Sequence, residues 1–372
     1  MPRSKRLHFK DINAIKALAF IPVYLFSILF LINSPERGVL YDAVMILKNM
    51  VFGSIDLFFF ISAFLITSHA LREYKYLDKF SFRNFIIRRV FRIAIVLIIA
   101  LSFAYFVHPW LIEVLDLKMP NLTFPSIEPF LLLVPNYFAE FNGDHLLYIL
   151  IISSIYMFVQ FFIVWGLVLR FFKKQLVLLA CALIVIGLIA RIIHFFNGSA
   201  FFLDTFSYGV MMGFGSLTAN IVRNETPIFH KIKELSKRTN TVVYVAGLVL
   251  FLGTYILCAN TIFMVFTPLL LAPFFCFLIV DQTFGKNSVI QFKNMKILSH
   301  MGKLSYGFIV YQGIVGVLIV LGVLSLDYQL NSILIVTVIV IGGFIASLIV
   351  ADISFKLFEK PLQRFRREFK KV

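Results

Sequence analysis

Asp56 sits about midway along an apolar run, in Gly53-Ser54-Ile55-Asp56-Leu57-Phe58-Phe59-Phe60-Ile61-Ser62-Ala63-Phe64. A carboxylate in such a run either meets an arginine or backbone donors, or serves as a proton or substrate site. Arg89 and Arg92 are three residues apart and share a helix face, with Arg88 on the flank of Arg92. Guanidinium forks bind phosphate bidentately, so this face suits a clamp for a polyphosphate such as coenzyme A or a nucleotide. The same spacing also suits anchors that snorkel to a membrane surface. Arg191, His194 and Asp204 read as an Arg–Asp structural pair with a histidine beside it. For His108 and His145, at either end of an acidic loop, the expectation is interfacial packing. No HExxH, carboxylate cluster, phosphate-binding loop or GxSxG elbow appears, so no metal site is expected.

The elements that must position these groups are membrane helices. Of 372 residues 60% are hydrophobic and only 15% charged, and mean hydropathy is +0.92. A soluble domain is nearer half apolar and a quarter charged. This excludes a soluble enzyme, a secreted disulfide scaffold and a disordered chain. Continuous rather than alternating apolar runs argue against an outer-membrane barrel. The net charge of +16 would suggest nucleic acid in a soluble protein. Here Lys and Arg collect in short loops, and the partner they imply is the lipid bilayer, not nucleic acid. Cys181, Cys258 and Cys276 lack CxxC spacing and read as small packed apolar residues. No cleavable leader is expected, because the first apolar stretch lacks a small-residue cleavage site.

Runs of about 20 apolar residues predict ten spans, near 12–33, 41–70, 86–108, 146–169, 175–196, 201–222, 241–258, 261–280, 303–324 and 331–355. Basic residues cluster before the first span, after each even-numbered one and in the tail, whereas the alternate loops are neutral or acidic. Ten helices with both termini cytoplasmic satisfy the positive-inside rule. Residues 1–372 are expected to form a single transmembrane domain without an appended soluble one. The longest outer segment, 109–145, carries five prolines, with a short amphipathic or re-entrant piece expected around 127–136. A loop of that length is usually functional.

Six stretches, in order, resemble the membrane acyltransferase family 3. These are Asn13-Ala14-Ile15-Lys16-Ala17-Leu18-Ala19, Asp56-Leu57-Phe58-Phe59 through Ser62-Ala63-Phe64-Leu65-Ile66-Thr67, and Arg88-Arg89-Val90-Phe91-Arg92. Leu203-Asp204-Thr205-Phe206 with Gly209 and Gly213, Leu304-Ser305-Tyr306-Gly307 through Tyr311, and Glu359-Lys360-Pro361-Leu362 complete the series. The resemblance implies an all-α integral membrane bundle in a bacterial cytoplasmic membrane. It implies an O-acyltransferase moving an acyl group, acetyl as first expectation, from acyl-CoA to a hydroxyl of an extracytoplasmic glycan or lipid-linked sugar, as in polysaccharide modification. It also implies that Arg89 and Arg92, with Arg88, hold the coenzyme and that a helix-1 histidine acts in transfer; in an active enzyme Asp56 would orient or buffer the site. No bound cofactor is expected.

This chain departs from that pattern. Ser27 occupies the helix-1 histidine position, Gln312 the helix-9 histidine position, Asn13 the opening Asp, Phe158 a helix-4 Glu and Ala63 a Gly. Serine is no base at neutral pH and, unactivated, a weak nucleophile. Three readings follow. One is an active O-acyltransferase whose base comes from elsewhere, with His108 or His145 as candidates. The second is a degenerate acyltransferase serving as scaffold or partner subunit for another membrane protein in cell-envelope assembly. The third is a glycolipid transporter.

Overall fold

The computed structural model describes residues 10–31, 51–117, 125–138, 147–199, 201–257, 261–325 and 333–361. Ten helices of fifteen residues or more run through them, and these residues contain no strand. They are α1 (Lys10–Leu31), α2 (Val51–Leu77), α3 (Phe82–Ser102), α4 (Leu147–Phe171) and α5 (Leu176–Phe196), followed by α6 (Gly209–Arg223), α7 (Lys237–Leu257), α8 (Phe263–Phe284), α9 (Ser305–Ser325) and α10 (Ile333–Ser354). Each coincides with an expected span, but not every one has the length and hydropathy of a crossing. Seven stretches do among the described residues, on α2, α3, α4, α5, α8, α9 and α10. The apolar stretch of α1 is Ile12–Ile28. Helix α7 opens on Lys237-Arg238-Thr239-Asn240, which dilutes its apolar character, and α6 has only 15 residues. The chain is an all-α, multi-pass membrane protein.

Two elements differ from their expected form for local reasons. Residues 201–208, expected as the first turns of a span, form two 3₁₀ turns, Phe201–Leu203 and Phe206–Tyr208. The Asp204 carboxylate between them accepts from the backbone N–H of Phe206 (3.2 Å) and of Ser207 (2.8 Å), competing with α-helix formation. Helix α3 does not stop at the His108-Pro109 step. A π turn, Phe103–Val107, leads into a further helix, His108–Val114. Proline lacks an N–H and crowds the carbonyl four residues back, and a widened turn accommodates both problems. The described part of segment 109–145 carries two one-turn helices, Glu128–Leu131 and Pro135–Phe138, in place of the single short piece expected around 127–136.

The core is aromatic. Phe20 of α1 stacks on Phe308 of α9 at 4.3 Å. Phe59 of α2 lies between Phe158 of α4 at 4.0 Å and Tyr208 at 4.2 Å. Such pairs contribute about 0.5–1.5 kcal/mol each beyond the area they bury. Helix α6 runs against α2 so closely that a Cβ on Gly215 would collide with the Phe60 carbonyl oxygen. At the start of α1, Gly302 of the amphipathic helix Lys296–Lys303 lies against the Asn13 backbone carbonyl with no room for a Cβ. The outward faces are apolar, with Leu178, Val185, Ile189 and Ile193 of α5 exposed as lipid-facing residues must be. Cys181 shares that exposed face rather than packing inside, Cys276 is partly buried, and both are free thiols; Cys258 lies outside the described residues.

Candidate active site

A cavity lies among α1, α2, α4 and α9, and Phe202 and Leu203 of the Phe201–Leu203 turn also line it. Apolar side chains form most of its wall, Phe26, Phe52, Ile55, Phe58 and Phe158 among them. Its polar members are Lys16, Ser27, Ser62, Ser154, Ser305 and Tyr306. Among the described residues, no His, Asp or Glu lines it.

Ser27 is buried on α1 and gives its hydroxyl proton to the Val23 carbonyl at 2.8 Å, one turn back. Its oxygen accepts from Gln312 Nε2 at 3.4 Å. Gln312 is itself buried, and its Oε1 has no hydrogen-bond partner among the described residues. The two positions at which the resemblance places histidines therefore adjoin each other across α1 and α9. Both carry neutral amide or hydroxyl groups that do not exchange protons near neutral pH. Phe158, where the resemblance places a glutamate, is stacked on Phe59 and faces the cavity.

Asp56 is not on the cavity wall. It is 1% exposed and pairs with Arg191 of α5 at 2.9 Å. The arginine expected to pair with Asp204 thus meets Asp56 instead. Its Nε donates to the Ser207 carbonyl at 2.8 Å, and its guanidinium carbon stands 4.8 Å from the centre of the Phe201 ring. Nη1 is buried without a hydrogen-bond partner among the described residues. The Phe158–Phe59–Tyr208 stack separates the ion pair from the cavity: Phe158 faces the cavity, and Tyr208 lies 5.7 Å from Arg191.

Asp204 belongs to a second polar cluster at the same end. Besides the two backbone bonds it accepts from the Ser207 hydroxyl at 2.7 Å and from Tyr137 at 2.9 Å, and its Oδ2 lies 3.4 Å from His194 Nε2. Burial pushes the Tyr137 phenol above its ordinary value; hydrogen bonding to Thr205 opposes this and the Asp204 charge reinforces it, so it remains a donor. Gln160 of α4 donates to Asn136 Oδ1 and to the Leu133 carbonyl, both at 2.7 Å, and accepts from Thr205. These bonds tie residues 133–136 to α4 and to the stretch that follows the cavity-lining Leu203. Sequence reasoning named Asp204 and His194 but missed Asn136, Gln160 and Thr205. Polar residues in an apolar helix, as at Gln160, were the available signal.

Arg89 of α3 stands over the Phe162 ring at 4.9 Å and the Phe85 ring at 5.7 Å. This cation–π seat holds its guanidinium against two aromatic rings. The side chains of Arg88 and Arg92 lie outside the described residues, as do His145 and the Glu359 side chain. His108 is fully buried and stacked on Phe103 at 6.0 Å, away from the cavity lining. The structure thus distributes the candidates: Ser27 on the cavity, Asp56 in an ion pair behind its wall and Arg89 on an aromatic seat.

No curated protein and no solved structure matches the chain. A family model described as an acyltransferase domain matches residues 9–352. That match covers nearly the whole chain, including the α1, α2 and α9 stretches that build the cavity, and the protein belongs to the acyltransferase 3 family.

Proposed function

We propose that this membrane protein binds an acyl donor of the acyl-CoA class but has relinquished the histidine-based transfer step. On this reading it works as a non-catalytic partner in the acylation of an extracytoplasmic glycan or lipid-linked sugar, in a bacterial cytoplasmic membrane. The carrying observation is the contact of Ser27 with Gln312 in a cavity whose described lining holds no His, Asp or Glu. Transfer to a hydroxyl needs a base at the proton it removes, and neither side chain is one. Lys16 and the apolar wall still suit an acyl group with an oxygen-bearing head. Arg89, with Arg88 and Arg92 on the same helix, supplies guanidinium groups for the coenzyme phosphates.

The second reading, an active O-acyltransferase, is favoured by His194. It is paired with Asp204, next in sequence to the cavity-lining Leu203. The experiment that separates the two is acyl-CoA turnover in lipid nanodiscs. The first reading expects no CoA release from the unaltered protein, retained acyl-CoA binding, and a gain of turnover in Ser27→His/Gln312→His. CoA release by the unaltered protein that His194→Ala abolishes would overturn it in favour of the second.

A further inference from the structure

The shape of the cavity says more about its occupant. It is lined along α1 from Lys16 to Ser27, which at 1.5 Å per residue is about 16 Å. A mostly apolar cavity of that length fits an extended hydrocarbon chain. At about 1.3 Å per carbon along a zigzag of ~1.5 Å bonds, it takes about twelve carbons.

The chemistry of the wall agrees. Toward the Ser27 end the hydroxyls are spent on their own helices: Ser27 donates to Val23 O, and Ser154 donates to Ile151 O at 2.6 Å. Between them stand Val23, Phe26, Phe52, Ile55 and Phe158. An arm containing amides, such as the pantetheine portion of coenzyme A, would bury its polar groups against a mostly apolar wall there. A methylene chain has none to satisfy. At the opposite end, the buried Lys16 is joined by Ser305 and Tyr306 at the start of α9.

We propose that this cavity seats a single acyl chain of about twelve carbons, with its oxygen-bearing head at Lys16 and its methyl end toward Ser27. The proposal rests on the acyl-binding reading above and deepens it, replacing acetyl with a long chain. The chain can arrive on coenzyme A, as free acid or within a phospholipid.

The test uses the whole protein in nanodiscs and dodecanoic acid carrying a photoreactive diazirine at its methyl end. Crosslinks are expected on peptides around Ser27, Val51 and Ile151. Competitors are lauroyl-CoA, dodecanoic acid and didodecanoyl phosphatidylglycerol, against acetyl-CoA. At least one twelve-carbon competitor is expected to displace the probe a hundredfold better than acetyl-CoA, and which one does so names the source. Ile155→Trp and Ile55→Trp, which fill the cavity from two helices, are expected to cut labelling at least tenfold at unchanged thermal stability. Labelling confined to lipid-facing residues such as Leu178 and Val185, or displacement by acetyl-CoA equal to that by lauroyl-CoA, would overturn the proposal. The competition series needs no variant to fold. It is also independent of CoA release, so failure here is distinguishable from failure of the non-catalytic reading.

Discussion

Asp56 and Arg191 are 135 positions apart in the chain and meet at 2.9 Å, each about 1% exposed. Their contact joins α2 to α5 behind the cavity wall. Replacing a whole buried pair can be near neutral, but removing one partner strands a charge and costs about 3–5 kcal/mol. Asp56→Asn and Arg191→Met are each expected to lower stability by that order. The double variant is expected to recover more than half of the loss. Thermal unfolding in detergent, followed by size exclusion, reads all three, and strict additivity of the two losses would refute the coupling.

Ser27 and Gln312 form a smaller unit with the same logic. Ser27→Ala leaves the Gln312 amide with less satisfaction in a buried place, at an expected cost of about 1–3 kcal/mol. Adding Gln312→Leu removes the stranded amide and is expected to restore most of that. The unfolding midpoints of the single and double variants decide it: a double variant no more stable than Ser27→Ala contradicts the pairing.

Gly215 sets the approach of α6 to α2, because a Cβ there would collide with the Phe60 carbonyl. Gly215→Val is expected to destabilise by more than about 2 kcal/mol through backbone displacement. Accessibility of an introduced cysteine at Ala63 to a maleimide, before and after the change, reports whether the helices part.

Arg89 stands over the Phe85 and Phe162 rings. If its guanidinium meets coenzyme phosphates, Arg89→Ala is expected to weaken acyl-CoA binding about tenfold while leaving free fatty acid binding unchanged. Arg89→Lys should fail to rescue, since an ammonium neither stacks nor binds bidentately. Equal loss of both ligands in calorimetric titration would place Arg89 in the scaffold alone.

Outside the membrane-spanning segments, Glu234 and Lys286 join two loops at 2.9 Å. The hydrogen bond from Lys286, and then its charge, hold the Glu234 carboxyl below its ordinary range. A depressed carboxylate contributes above its unfolded pKa and loses that contribution as pH falls through the folded one. The tie is therefore expected to persist at pH 6 and to open only as the pH falls below about 4.3. Two further bonds, Lys286 N–H to Lys233 O and Asn287 Nδ2 to Leu235 O, do not titrate and should keep the loops together. Hydrogen exchange of residues 233–288 between pH 3 and 6 measures this; loss of protection already at pH 6 would contradict it.

Helix positions were legible because a bilayer demands long apolar runs, and each expected span coincides with a helix. What periodicity could not supply is which distant groups meet. Arg191 lies closer in sequence to Asp204 than to Asp56, and sequence proximity suggested the wrong acid. Asp204 is instead engaged by the turn that shortens α6, by Tyr137 and by His194, and no hydropathy scale registers such contacts. The π turn before Pro109 was equally hidden, since proline signals a helix end more often than an accommodated continuation. For the site, the resemblance identified Ser27 and Gln312 separately; that they adjoin is a property of how α1 packs on α9.

The seat of Gly302 on the Asn13 carbonyl has a mechanical consequence. It fastens the foot of α1 to the helix that runs, through Leu304, into α9. Higher up, Tyr24 of α1 donates to Val340 O of α10 at 2.6 Å, and Tyr311 of α9 bonds Ser354 at the end of α10 at 2.6 Å. These three helices form one stator. Helices α2, α5 and α6 form the other, riveted by Asp56 with Arg191 and by the Gly215 contact. The cavity lies between the two groups, with Lys16, Ser27 and Tyr306 on one side and Ile55 and Phe58 on the other, so a ligand seated there touches both.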